Sequence, residues 1–220
     1  MSGFDIAIDG PAGAGKSTIA KKVAKEKNMI YVDTGAMYRA MALFMIREDV
    51  DLGNEKAIAE KCEKAEITIK YQDGVQCVLL NGENVNDLIR TEKVSAAASK
   101  TSVVPEVRRK LVSLQQELAI TESVVMDGRD IGTKVLPNAR LKIFLTASTG
   151  VRARRRFDEL LAKGEKADLS EIEADIKERD KRDMTRAESP LVQAPDSVLL
   201  DTSDMTVDQV VEKILSLIDW

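Results

Sequence analysis

Gly10-Pro-Ala-Gly-Ala-Gly-Lys-Ser-Thr18 is the stretch on which the reading of this chain turns. It fills the pattern G-x-x-x-x-G-K-[ST] with Gly10, Gly15, Lys16 and Ser17. The apolar run Phe4-Asp-Ile-Ala-Ile8 comes directly before it, and the helix-like Ile19-Ala-Lys-Lys-Val-Ala-Lys25 directly after. Strand, glycine loop and helix in that order are what a phosphate-binding loop requires. Glycines remove the side chains that would hold backbone N–H groups off a phosphate. A helix beginning at Lys16 or Ser17 turns its partial positive end toward the same anion. Lys16 is expected to reach the β- and γ-phosphates of a nucleoside triphosphate, and the Ser17 hydroxyl to ligate Mg²⁺.

Outward from the loop the pattern alternates. Met29-Ile-Tyr-Val-Asp33, Ser123-Val-Val-Met126, Leu141-Lys-Ile-Phe-Leu145 and Ser197-Val-Leu-Leu200 are short apolar runs that read as strands, five with the first. Helical stretches separate them, over 36–47, 55–64, 105–119, 151–162, 169–182 and 207–218. Strands alternating with helices predict a parallel sheet covered on both faces. In the last helix Val207, Val210, Val211, Ile214, Leu215 and Ile218 form one apolar face, with Ser203 or Thr206 as its cap, and it is expected to pack on the sheet and carry no chemistry. One segment breaks the alternation: Glu66 to Tyr71 and Val75 to Leu80 flank Gln72-Asp-Gly74 as a β-hairpin, and Asn81-Gly82 offers a second turn. Residues from about 60 to 100 therefore read as an inserted subdomain.

Composition removes several chemistries. The 220 residues contain no histidine, so imidazole bases, His-dependent triads and most zinc sites are excluded. Cys62 and Cys77 lack metal-ligand spacing and read as plain apolar residues in a reducing compartment. No apolar run approaches the roughly 20 residues of a membrane span, and no signal-like segment precedes the first strand, so the chain is expected to be cytoplasmic. A net charge of −4 speaks against a nucleic-acid coat. Arginine nevertheless clusters in Arg152-Ala-Arg-Arg-Arg156 and in Glu178-Arg-Asp-Lys-Arg-Asp-Met-Thr-Arg186. Such runs are often solvated faces of i,i+4 pairs, but planar guanidinium forks also suit the oxygens of a phosphate.

Neither the guanine-reading Asn-Lys-x-Asp nor a DxxG switch occurs, and the length leaves little room for the modules of an ATPase motor. A compact kinase remains. Asp33-Thr-Gly-Ala-Met-Tyr-Arg39 follows the second strand and Met126-Asp-Gly-Arg-Asp-Ile-Gly132 the third. In a parallel open sheet these strand ends meet in one crevice beside the phosphate loop, and each brings an arginine.

With these stretches together the chain resembles the bacterial cytidylate kinases over nearly its whole length. The resemblance runs through Ile8 to Thr18, Asp33 to Arg39, Ile89-Arg-Thr-Glu92, Ala97-Ala-Ser99, Val107-Arg108, Asp127 to Gly132, Lys142 to Leu145, and Glu178 to Asp183 with Arg186 and Ser189-Pro-Leu191. It implies an α/β P-loop kinase fold: a five-stranded parallel core with helices on both faces, an inserted monophosphate-binding subdomain and a helical lid over about 152–186. It also implies transfer of the ATP γ-phosphoryl group to CMP or dCMP, with Mg²⁺, by a monomer that needs neither nucleic acid nor membrane. By the resemblance, Gly10, Pro11, Ala12, Gly13, Ala14, Gly15, Lys16, Ser17 and Thr18 hold the donor. Thr34, Arg39, Arg129 and Arg186 hold the acceptor phosphate, Ser99, Arg108 and Asp130 read the cytosine edge, Arg179 and Asp183 meet the sugar, and Tyr38 packs against the nucleotide.

Elementary chemistry agrees with these roles. Cytosine presents an exocyclic amine to a carboxylate such as Asp130 and accepting N3 and O2 atoms to donors such as Arg108 or Ser99. Uracil reverses this pattern at positions 3 and 4 and would leave polar groups of the site unpaired. A phosphate acceptor also needs no base, because its second ionisation lies near pH 6. Alignment and charge stabilisation by Lys16, Mg²⁺, Arg39, Arg129 and Arg186 remain. Asp127 is the candidate for holding Mg²⁺ through water beside Ser17, with Thr18 as the alternative hydroxyl, and Arg155 and Arg156 are candidates for contact with the donor phosphates. Two departures from relatives are Gln115-Gln116, where many have an arginine after the glutamine, and Lys-Ser-Thr in place of Lys-Gly-Thr. The alternatives are a small-metabolite kinase with a hydroxyl acceptor and Asp33 or Asp130 as base, and a nucleotide-binding module without catalysis.

Overall fold

Alternate residues of the short apolar runs point to opposite sides, and both sides are covered. In the computed structural model, which describes residues 4–72 and 74–218, strands β1 (Ile6–Asp9), β2 (Ile30–Asp33), β6 (Val124–Gly128), β7 (Leu141–Thr146) and β8 (Val198–Asp201) form one sheet in the order β2-β6-β1-β7-β8. All of its pairings are parallel. Every residue of β1 and β6 is buried, as the inner strands of such a sheet must be. Ile6 and Ile8 face helices α1 (Lys16–Glu26) and α8 (Val207–Ser216), meeting Ile19, Val23, Val210 and Ile214. Ala7, Val32 and Met126 face the other way, toward Ile131 and Val135, with Val112 and Leu118 of α5 (Pro105–Thr121) beside them.

Register sets the working edge. Asp9 pairs with Gly128, and Asp33 with Asp127, so three carboxylates and the loop that follows β1 share the C-terminal end of the sheet. That loop starts at Gly10, whose φ is +148°; a Cβ there would lie 2.0 Å from the carbonyl oxygen of Leu145 in β7, so no side chain fits. It ends at Gly15 (φ +84°), the residue before α1. Helix α2 (Thr34–Arg47) begins two residues earlier than its apolar pattern predicts, because the Asp33 carboxylate caps the Ala36 N–H.

A second sheet is antiparallel and smaller. Strands β3 (Ile67–Gln72), β4 (Val75–Leu80) and β5 (Glu83–Asn84) lie in the order β3-β4-β5. The predicted hairpin is β3-β4, although Asp73 of its turn lies outside the described residues. Asn81 (φ +50°) and Gly82 (φ +82°) make the second turn with both residues left-handed, as an Asn-Gly pair favours. This sheet, α3 (Glu55–Cys62), α4 (Glu92–Thr101), α2 and the start of α5 share a core of their own, with Met41, Ile58, Leu80, Ile89 and Leu111 fully buried. It is tied to the large sheet through backbone. The Gln76 amide accepts from the Asp33 N–H (2.7 Å) and donates to the Asp33 carbonyl (3.2 Å), and the Tyr71 hydroxyl donates to the Tyr31 carbonyl at 3.2 Å.

Three elements lie outside the sequence expectations: the short strand β5, helix α4, and a π-helical turn, Ile131–Val135, after β6. Helices α6 (Thr149–Ala162) and α7 (Leu169–Thr185) pack on each other across the mouth of the strand-end crevice. Among the described residues no helix is long and apolar enough to cross a membrane.

Candidate active site

The strand ends, the loop after β1, the first turn of α2, helix α4 and the paired α6 and α7 enclose a cavity of about 700 Å³. From the loop, Ala12 to Thr18 form its wall; Gly10 and Pro11, although expected among the donor contacts, do not. Gly10 is spent on its contact with β7, and Pro11 offers its carbonyl to the Lys16 ammonium at 2.7 Å. Lys16 is buried, and burial, then the nearby Arg129, lower its pKa well below the usual lysine value. An anion in the cavity relieves both.

Beside Lys16 the Ser17 hydroxyl donates to Asp127 Oδ2 (2.9 Å) and the Tyr31 hydroxyl to Oδ1 (2.7 Å), so both carboxylate oxygens are oriented. Burial, then Asp33, raise the pKa of Asp127. Among the described residues no group of three or more His, Cys, Asp or Glu side chains is placed to hold a metal. A hydroxyl and a carboxylate in contact are instead the sparse hard-oxygen set that suits Mg²⁺, which keeps water and phosphate as its other ligands.

The far wall is arginine. Arg39 pairs with Asp33 at 3.1 Å, Arg129 donates to Asp183 at 2.9 Å, and Arg186 lies 3.7 Å from Asp183 and 3.8 Å from Asp130. Arg108, 2% exposed, donates to Asp130 at 2.5 Å, and its guanidinium sits 5.2 Å from the centre of the Tyr38 ring. Burial pushes the Tyr38 hydroxyl up to about 12. Burial, then Arg129, bring Arg179 down to about 10. Asp183 is opposed by burial, but Arg129, Arg179 and Arg186 outweigh it and hold the carboxyl below its ordinary range. Thr34 donates to the Asp127 carbonyl at 2.6 Å, and the Ser99 hydroxyl accepts from Arg182 of α7 at 3.0 Å. Arg39 Nε, Arg108 Nε and Arg179 Nε are buried without a hydrogen bond, and Arg186 Nη2, also without one, has only its 3.8 Å ion pair with Asp130. Buried donors are rarely left unpaired, and here they share one cavity with Lys16.

Thus Lys16, Ser17, Thr34, Tyr38, Arg39, Ser99, Arg108, Asp127, Arg129, Asp130, Arg179, Asp183 and Arg186, all expected at the site, come together. Arg155 and Arg156 line the cavity, with side-chain partners outside the loop. Arg155 donates to the Thr202 carbonyl at 2.7 Å, and Arg156 pairs with Glu92 and, at 3.0 Å, with Glu159. The arginine of α6 that reaches the loop is Arg152, read from sequence as one of a charge run: its Nη1 donates to the Ala12 carbonyl at 3.0 Å. Helix α8 does more than cover the sheet, since Val207 and Val210 form an apolar end of the cavity with Met205.

Two further residues were not anticipated. Asp9 accepts from the Ile131 N–H (2.8 Å) and the Gly132 N–H (2.7 Å), so the residue before the loop fixes the π-helical turn after Asp130. Burial raises its carboxyl to about 6. Tyr31 is the other, through its hold on Asp127. Their signal in the sequence is position alone, at or near the end of a strand.

The chain is similar to known proteins along nearly its whole length. The family model described as cytidylate kinase matches residues 6–219. A cytidylate kinase of Caldicellulosiruptor bescii is 49% identical over 99% of this chain and 96% of its own length. One from Lactobacillus gasseri is 49% identical over 98% and 94%, and one from Alkaliphilus oremlandii 46% over 99% of each. Among solved structures, an uncharacterized protein from Eubacterium ventriosum superposes with a TM-score of 0.55 at 16% identity over 98% of both chains. A gluconokinase from Sinorhizobium meliloti reaches 0.50 at 14% identity over 98% of this chain and 90% of its own. At such identities the likeness is one of fold.

Proposed function

The chain belongs to the cytidylate kinase family, and from that premise we infer that it is a nucleoside monophosphate kinase that moves the γ-phosphoryl group of ATP to CMP. One observation carries the assignment of the site. Arginines with unpaired buried N–H groups face Lys16 across a single cavity, an arrangement matched to two phosphate-bearing ligands end to end. A hydroxyl acceptor would need a free carboxylate base, but Asp33 caps α2 and pairs with Arg39, while Asp130 is bound to Arg108.

The donor phosphates lie along Ala12 to Thr18 with Lys16 at the transferred group, and the adenosine lies toward Arg155, Met205 and Val207. Thr34, Arg39, Arg129 and Arg186 take the acceptor phosphate, and Arg179 and Asp183 the sugar. Asp130, held by Arg108, accepts from the cytosine amine, and Ser99 and Arg108 donate to its ring edge. Ser17 and Asp127 are the residues that would hold Mg²⁺, which when bound would neutralise charge on the donor phosphates. The acceptor oxygen is already an anion at neutral pH, so this chain's own groups have only to align it and shield its charge. Nucleotide substrates and the free thiols Cys62 and Cys77 are in keeping with a cytoplasmic setting.

The test is ADP release with CMP, dCMP, UMP, AMP and shikimate, on the wild type and on Asp130→Asn. CMP should be the best acceptor, and the substitution should lower the CMP/UMP ratio at least tenfold, the scale on which a buried site rejects a mismatched partner. Absence of turnover with CMP would sink the reading; an unchanged ratio would remove Asp130 from base recognition.

A further inference from the structure

Arg152 is the first arginine of a dense charge run, yet it is only 4% exposed. Its guanidinium has five N–H donors, and five acceptors surround it. Nε donates to the Ala147 carbonyl (2.9 Å). Nη1 donates to the Ala12 carbonyl (3.0 Å) and Asp180 Oδ1 (3.1 Å), and Nη2 to Thr149 Oγ1 (3.2 Å) and Asp180 Oδ2 (2.6 Å). These acceptors belong to the residue after β7, the first turn of α6, the phosphate loop and helix α7. The fit is close on the loop side as well. Gly13 has φ +76°, and a Cβ there would meet the Arg152 Cβ at 3.2 Å.

Asp180 follows Arg179 directly and lies one helical turn before Asp183, so whatever fixes Asp180 fixes the wall that faces the acceptor. Stability alone is a poor reason for such a pair, because buried ion pairs often contribute no more than apolar residues of the same shape. A lysine in its place would keep the charge but, with one compact ammonium, would not span the loop carbonyl and both carboxylate oxygens. We propose that Arg152 is a positioning residue that locks the phosphate loop and α7 in one register through Ala12 and Asp180, so that donor and acceptor phosphates meet in line. The inference rests on reading the loop as the donor grip and α7 as part of the acceptor wall.

Arg152→Lys and Asp180→Asn in the full chain test this, with kcat, both KM values and backbone amide exchange over residues 10–18 without substrate. In Arg152→Lys kcat should fall roughly a hundredfold, the scale of a misplacement of about 1 Å between reacting groups. Both KM values should stay within about threefold, because the groups that touch the substrates are intact. Exchange over residues 10–18 should quicken in both variants, and the double variant should be no slower than Arg152→Lys, since the two groups act through one contact. Unchanged kcat and exchange in folded Asp180→Asn would overturn the proposal. So would a rise confined to the KM for ATP, which would make Arg152 a direct donor contact. The exchange measurement uses no acceptor, so an acceptor other than CMP would overturn the assigned substrate and leave this test standing.

Discussion

Lys16 waits for its ligand in an unfavourable place. Its ammonium is buried, is held by the Pro11 carbonyl, and has its pKa lowered first by burial and then by Arg129. Charge developing on a transferred phosphoryl group is the interaction that site lacks. Lys16→Ala should therefore lower kcat by about 10²–10³, the cost of losing one transition-state contact. Its thermal midpoint should stay at or above that of the wild type, because a buried, strained charge has gone. Coupled ADP release and a melting scan check the two halves. Residues whose place in the cavity is written next to them were legible: Lys16 and Ser17 from the loop pattern, Arg39, Arg129 and Asp130 from strand ends. Arg152 and Asp9 were not. Their partners stand 140 and 122 residues away, and no local spacing encodes such a contact.

At the scale of elements, one amide joins the small sheet to the strand end that carries Arg39. Gln76 sits in the predicted hairpin, and its side chain holds the Asp33 backbone on both sides, while the Asp33 carboxylate orients Arg39. Gln76→Ala should raise the KM for CMP several-fold and leave the KM for ATP nearly unchanged. The two hydrogen bonds together are worth about 1–3 kcal/mol, to be read from the shift in urea midpoint. Strands and hairpin were legible because alternation and an Asn-Gly turn are local signals. Helix α4 was not recognised, although Val94, Ala97, Ala98 and Thr101 stand at helical spacing on its buried side. Alanine and threonine make a faint stripe, and tertiary packing supplies what the pattern lacks. The π-helical turn is set by the remote Asp9 carboxylate and leaves no local trace.

For the molecule as a whole, the order of strands was not legible in the sequence, since propensity carries no information on which strand lies beside which. The structure adds a pH dependence to that order, because β1 ends on a buried acid. Asp9 has a folded-state pKa of about 6 against an ordinary 3.8. The folded protein thus binds the proton more tightly than the unfolded chain. Its stabilising contribution is complete below about pH 4 and is lost as pH rises through 6. Asp9→Asn should flatten the difference in melting temperature between pH 4 and pH 7 relative to wild type, and an identical slope would contradict the shift. Protonation also removes an acceptor from the Ile131 and Gly132 N–H groups, so activity should decline below pH 6 while stability does not.

The chain is acidic overall, at −4, but gathers its unpaired guanidinium N–H groups around one cavity. Without nucleotide, such a cavity is expected to take up inorganic oxyanions. Phosphate or sulfate from a buffer would settle among Arg39, Arg179 and Arg186 and compete with the nucleotide, so apparent affinities for the acceptor belong as much to the chosen salt as to the enzyme.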